Sequence, residues 1–210
     1  MSLYRPAAFA SDDPAAIARL VDEHPFATLI TAGAGEAQVS HLPLLLRPEP
    51  GPHGSLIGHM ARANPHWRHF ADAASMAIFH GPHAYVSPSW YAEPAAQVPT
   101  WNYVVVHVHG RAEIVTERAG TLATLQQMIG RFEGGRAAPW RLQLEGGRLD
   151  AMVGAIVAFR IAIERIDAKF KLSQNKDQID RSRVASGLRG EDHADATATA
   201  AWMDREADTD

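Results

Sequence analysis

Apolar positions recur along this chain with two periods, and the switches between them mark its elements. Ile17, Leu20 and Val21 share one face of a helix that Asp13 can cap, with Pro14 in its first position and His24-Pro25 at its end. The spacing then drops to two. Phe26 to Thr31 and Gln38 to Leu46 read as strands around Ala32-Gly33-Ala34-Gly35, a connection with the glycines that a tight hairpin uses. Ser55 to Met60 and Ser75 to His80 continue the β pattern, with a short helix from Pro65 to Ala71 between them. Asn102 to Val115 is the longest β run: Val104, Val106 and Val108 face one way, and Tyr103, Val105, His107 and His109 the other. Helical spacing returns in Thr121 to Phe132 through Leu122, Leu125, Met128, Ile129 and Phe132, and Ala155 to Ile166 alternates once more. Six or seven strands with peripheral helices predict a mainly β, α+β domain closed as a barrel. Regular crossover helices are missing, and no Gly-x-Gly-x-x-Gly opens a helix after a strand, which argues against a nicotinamide-binding doubly wound sheet.

Composition narrows the class. The 210 residues are 46% apolar and 21% charged, with no apolar run long enough to span a membrane. With no cysteine, disulfides, thiolate nucleophiles and cysteine-ligated metals are excluded, and MSLYRPAAF carries no apolar signal core, so a cytoplasmic location is expected. A formal net charge of −4 gives no general attraction to nucleic acid. One domain is expected over residues 1–189, followed by an acidic, alanine-rich mobile tail over 190–210.

The cations are unevenly distributed. All three lysines, Lys169, Lys171 and Lys176, lie within eight residues, while the other seventeen cationic side chains are arginine. A compact ammonium on a flexible stem differs from a planar guanidinium fork, and KFKLSQN at 169 to 175 suits an anion or a polar cofactor edge. Asn175 can cap a helix beginning at Lys176, with Gln178 at the capping-box position. Arg62-Ala63-Asn64-Pro65 is a second such place, a cation ahead of a helix capped by Asn64. Both fit either an anion site or well-capped helices with nearby charges. GPHAYVSPSWY at 81 to 91 and VPTWNY at 98 to 103 place Tyr85, Trp90, Tyr91 and Trp101 on proline-stiffened backbone, suited to an aromatic ring system or to a dimer interface. His107 and His109 share a face, but no His-Glu-x-x-His pattern accompanies them, so packed histidines are expected and no metal.

Six ordered blocks then carry a resemblance: HPFATLIT at 24 to 31, SHLPLLL at 40 to 46, GHMARANPHW at 58 to 67, GPHAYVSPSWY, VPTWNYVVVHVHG at 98 to 110 and KFKLSQNK at 169 to 176. The chain resembles the PaiB-type FMN-binding regulators of the FMN-binding split β-barrel group, which includes pyridoxamine-phosphate-oxidase-like proteins. The resemblance implies a six-stranded Greek-key barrel, usually a homodimer, with FMN near the subunit interface. It makes Ser40, His41, His59, Arg62, Asn64, Trp101, Asn102, Lys169, Lys171, Ser173 and Gln174 candidate flavin-site residues. Phosphate falls to Arg62 and Lys171, ring contact to Trp101, and edge hydrogen bonds to Asn102 and Gln174. It also implies transcriptional regulation, yet no helix-turn-helix, basic stripe or arginine-rich arm is legible, which argues against direct DNA recognition. Three functions follow in order: an FMN-binding protein with oxidoreductase activity fed by a small-molecule or nicotinamide electron donor, a flavin-sensing regulator without turnover, and a haem-binding or haem-degrading barrel. No catalytic acid or base is assigned, since flavin hydride chemistry does not require a separate nucleophile.

Overall fold

A computed structural model describes residues 3–33, 35–48, 53–71 and 73–207. Among the described residues eight strands alternate unevenly with five α-helices: β1 (Ala10–Ser11), α1 (Pro14–Glu23), β2 (Phe26–Thr31), β3 (Gln38–Pro43), β4 (Leu45–Arg47), β5 (Ser55–Ala61), β6 (Ser75–Val86), β7 (Thr100–Ile114), α2 (Arg118–Glu133), α3 (Gly146–Gly154), β8 (Ile156–Lys171), α4 (Gln178–Gly190) and α5 (Ala194–Ala207). The sheet order is β3-β2-β6-β7-β8-β5-β4, with β1 paired to β8. β2 pairs antiparallel with β3 and β6, and β5 with β4 and β8. The mainly β class with peripheral helices is as expected.

Most of the patterned elements form where their spacing places them. Asp13 Oδ1 accepts from Ala15 N at 2.9 Å at the start of α1, which buries Ala16, Ile17, Leu20 and Val21. The expected strand from Gln38 to Leu46 is two strands. Proline 43 ends β3, and Leu44 N turns away to bond Pro25 O at 2.9 Å before β4 begins. That break, with the two-residue β1 too short to show a period, raises the count from about six strands to eight. The turn at 32 to 35 lies partly outside the described residues, because Ala34 is not among them. The helix expected from Lys176 begins at Gln178. Asp177 caps it by accepting from Asp180 N at 2.8 Å, while Lys176 N bonds Ser173 O in a turn.

The chain forms two compact units. The first comprises Met1–Glu23, His80–Val106 and Asp167–Asp210, the second His24–Phe79 and His107–Ile166. In the first, Leu20, Val106, Phe170, Leu172 and Leu188 are fully enclosed, and the Phe170 ring meets Trp202 edge-on at 5.4 Å. Residues 194–207, expected to be a mobile tail, are helical here and bury Ala196, Thr199, Ala200, Trp202 and Met203. The acidic composition hid a helix with one apolar face. In the second unit, Leu29, Leu44, Leu56, Phe79, Phe159 and Ile161 are enclosed, Phe70 lies 5.0 Å from Phe159, and Met128 of α2 packs on Leu45 and Ile57.

Candidate functional site

In the second unit, strand alternation turns Ser40 inward and leaves its neighbour His41 exposed, stacked on Phe26 with Nδ1 3.2 Å from Thr28 Oγ1. Asn64 sits at the head of the 3₁₀ turn Pro65–His69, as its sequence position predicts, and its Oδ1 accepts from His66 N at 3.0 Å. Asn64 Nδ2 donates to Ser40 Oγ at 2.9 Å. Between them lies the buried ring of His66, with Nδ1 2.8 Å from Ser40 Oγ and Nε2 2.9 Å from Thr31 Oγ1, which is in turn 2.7 Å from Ser75 Oγ. Burial, then the nearby His69, lower its pKa to about 4, so the ring is neutral near pH 7. Ser40 and Asn64 therefore spend their polar atoms inside a closed network. Two other candidates of this unit are also engaged. His59 Nδ1 is 3.1 Å from Met128 Sδ, and burial lowers its pKa. Arg62 donates from Nε to Gly154 O at 2.6 Å and from Nη2 to Ile156 O at 2.8 Å, fastening the end of α3.

The first unit holds the lysines. Lys169 is 6% exposed, and its Nζ lies over the rings of Tyr4 and Tyr103 at 5.0 and 5.3 Å. Lys171 Nζ donates to Thr100 Oγ1 and to Trp101 O, both at 2.6 Å. Burial, then Lys169 and Lys176, lower its pKa. Lys176 Nζ donates to Gln97 Oε1 at 2.6 Å and lies 5.2 Å from the Tyr91 ring centre. Among the described residues no carboxylate pairs with any of the three. Three ammonium groups are thus held by neutral oxygens and aromatic faces, leaving their charge uncompensated by protein.

Around them the loop after β8 is locked from within. Ser173, at φ 67° in a region that disfavours side chains, donates to Asn102 Oδ1 at 3.2 Å, while Asn102 Nδ2 donates to Ser173 Oγ at 3.0 Å and to Met203 Sδ at 3.4 Å. Gln174 closes on the backbone of its own loop, accepting from Leu172 N and donating to Phe170 O. Trp101 is different. It is half exposed, with His83 and Tyr85 both 6.2 Å away, and with Tyr103 it lines an apolar hollow of about 440 Å³. What this unit leaves unspent is an exposed aromatic wall and the charge of the lysine cluster. Sequence reasoning missed Thr100 and His66. The one signal for His66 was the cap itself, which sets the residue two positions after Asn64 beneath it. Among the described residues no three His, Asp or Glu side chains gather as metal ligands, and no helix is long and apolar enough to cross a membrane.

The sequence profile of the family described as "Putative FMN-binding domain" matches residues 3–165. This chain belongs to that family. It is also 35% identical over 205 residues to the Protease synthase and sporulation protein PAI 2 of Bacillus subtilis (strain 168), across 96% of this chain and 97% of that one. The resemblance to the PaiB type is borne out. Lys169 and Lys171 lie beyond the family match, but an alignment over 96% of the chain includes them. Among solved structures, the FAD and heme binding protein from Mycobacterium smegmatis matches with a TM-score of 0.62 at 18% identity, over 85% of this chain and 80% of that one. The flavocytochrome Anf3 from Azotobacter vinelandii matches with a TM-score of 0.63 at 16% identity, over 83% and 75%. At such identities the likeness shows the fold, that of the FMN-binding split barrels.

Proposed function

We propose that this protein binds FMN and acts as a flavin-dependent oxidoreductase, with Lys169 and Lys171 receiving the phosphate and Trp101 facing the ring. The observation that carries this reading is the lysine cluster, which has no carboxylate partner among the described residues. Burying or crowding like charges is unfavourable unless an anion compensates them, and a phosphate monoester supplies close to two negative charges. The donor set therefore fits FMN. Asn102, Ser173 and Gln174 serve as the frame that fixes the loop beside the lysines, since their polar atoms already bond one another or the backbone. When bound, the flavin supplies the redox chemistry, accepting and donating electrons as hydride or singly. The protein's part is to hold the phosphate with ammonium groups, to cover one ring face with Trp101, and to exclude water with Tyr103 and His83. The exposed Trp101 and Tyr85 face is the surface over which the expected homodimer would form.

The test is a titration of the purified protein with FMN, followed by flavin fluorescence and by absorbance. Saturation at micromolar concentration or tighter, roughly −8 kcal/mol, is expected, and Lys171→Ala should weaken it about tenfold. A folded Lys171→Ala variant with unchanged affinity removes the phosphate assignment, and no saturation by the parent protein removes the FMN reading. The names of the two structural relatives favour haem as the second reading; a Soret band in the same spectra would select it. Oxidation of NADH or NADPH by the loaded protein separates an enzyme from a flavin-sensing regulator, for which sequence-selective DNA binding at physiological salt is the corresponding sign.

A further inference from the structure

The segment joining β7 to β8 builds a hollow of about 610 Å³ that lies wholly within the second unit. Val115, Val153 and Val157 give it apolar walls, and Arg62, Arg118 and Thr121 give it polar ones. Each guanidinium is fixed along one edge. Arg62 bonds Gly154 O and Ile156 O, and Arg118 bonds Asp150 through Nε and Nη2. The remaining Nη1 of each bonds no described residue. Thr121 is 6% exposed, and its hydroxyl likewise bonds no described residue, whereas Thr124 on the same helix returns its hydroxyl to Gly120 O at 3.0 Å. A hydroxyl and two guanidinium groups with N–H donors to spare, all lining one hollow, can donate together to an oxygen anion.

We propose that this hollow binds a small organic carboxylate with an apolar body, held by Arg62, Arg118 and Thr121. Charge selects the class. Among the described residues Asp150 is the hollow's one carboxylate and is paired with Arg118, so the described wall carries a single excess positive charge, which matches a monovalent carboxylate better than a phosphate dianion. The indole of Trp67, anchored by its Nε1 donating to Arg62 O at 3.1 Å, offers a flat surface for the body of the ligand. The site shares no residue with the lysine cluster and does not depend on it.

Trp67 also supplies the readout. In protein labelled with 5-fluorotryptophan, the Trp67 ¹⁹F resonance is assigned by its loss in Trp67→Phe and followed as benzoate is added, with benzamide as the neutral control of the same shape. A saturable shift with benzoate, about tenfold weaker for benzamide and for Arg118→Ala, is expected. Arg118 and Asp150 are both more than half exposed, so the variant should keep its fold; Thr121→Val, which should also weaken binding, is the second variant. A Trp67 resonance that does not move, or one that responds equally to benzamide, overturns the proposal. FMN at saturation should leave the benzoate titration unchanged; displacement of benzoate by FMN would make the hollow part of the flavin site and overturn it as a separate one.

Discussion

His66 shows how one residue can organise a site without offering anything to a ligand. Its two ring nitrogens join Ser40 to Thr31, and through Thr31 reach Ser75, so five polar side chains, counting Asn64, are satisfied within one enclosed network. Its pKa is about 4 in the folded chain against 6.5 for an unperturbed histidine. As pH falls, the unfolded chain therefore takes up the proton first. The stability due to a neutral His66 is fully present above about pH 6.5 and is lost as pH drops towards 4, a change on the order of 3 kcal/mol. Urea unfolding followed from pH 7.5 to 4.5 should show this slope, and His66→Gln should remove it; an equal slope in the variant would move the effect elsewhere. Lys171 illustrates the opposite case. Its chemistry was legible in the sequence, because lysine is rare here and clustered, but its partners Thr100 and Trp101 were not, because they lie seventy residues away on another strand.

At the level of elements, close approach governs what the sequence permits. Gly110 lies on β7 where a Cβ would stand 2.0 Å from Ala162 O of β8, so only glycine lets those strands meet. Gly110→Ala should cost about 3 kcal/mol by forcing the strands apart, measurable as a lowered urea midpoint with the slope unchanged; a neutral effect would mean the sheet can yield there. The 120 to 154 region explains why α3 escaped prediction. Gly146, Gly147 and Gly154 break its pattern, and it is held instead by Arg62, which bonds the backbone at its end. Helix α4 shows the converse, where two adjacent residues could each have served as cap. Asn175 and Asp177 carry the same local signal, and the bond from Lys176 N to Ser173 O settles it by making residues 173 to 176 a turn.

For the whole chain, the largest departure from the sequence reading is α5. Trp202 packs on Phe170, Met203 accepts from Asn102, and Arg205 and Asp204 pair with Glu23 and Arg189. Ending the chain at Gly190 should therefore lower the thermal midpoint by roughly 10 °C, since loss of a buried tryptophan alone costs about 3 kcal/mol or more. An unchanged midpoint would return this segment to the role of a tail. The sequence by itself determined the mainly β class, the helix at Pro14, the cap at Asn64 and the family, because alternation, capping and ordered motifs are local properties of neighbouring residues. It also singled out the lysines. Which candidates retain open polar atoms was decided only by tertiary structure. Ser40, Asn64, Asn102 and Gln174 look equally available as letters, yet each is consumed by hydrogen bonds within its unit, three of them to residues far away in sequence. Hydrogen-bond satisfaction depends on burial and on distant partners, and neither is written in the spacing of a strand.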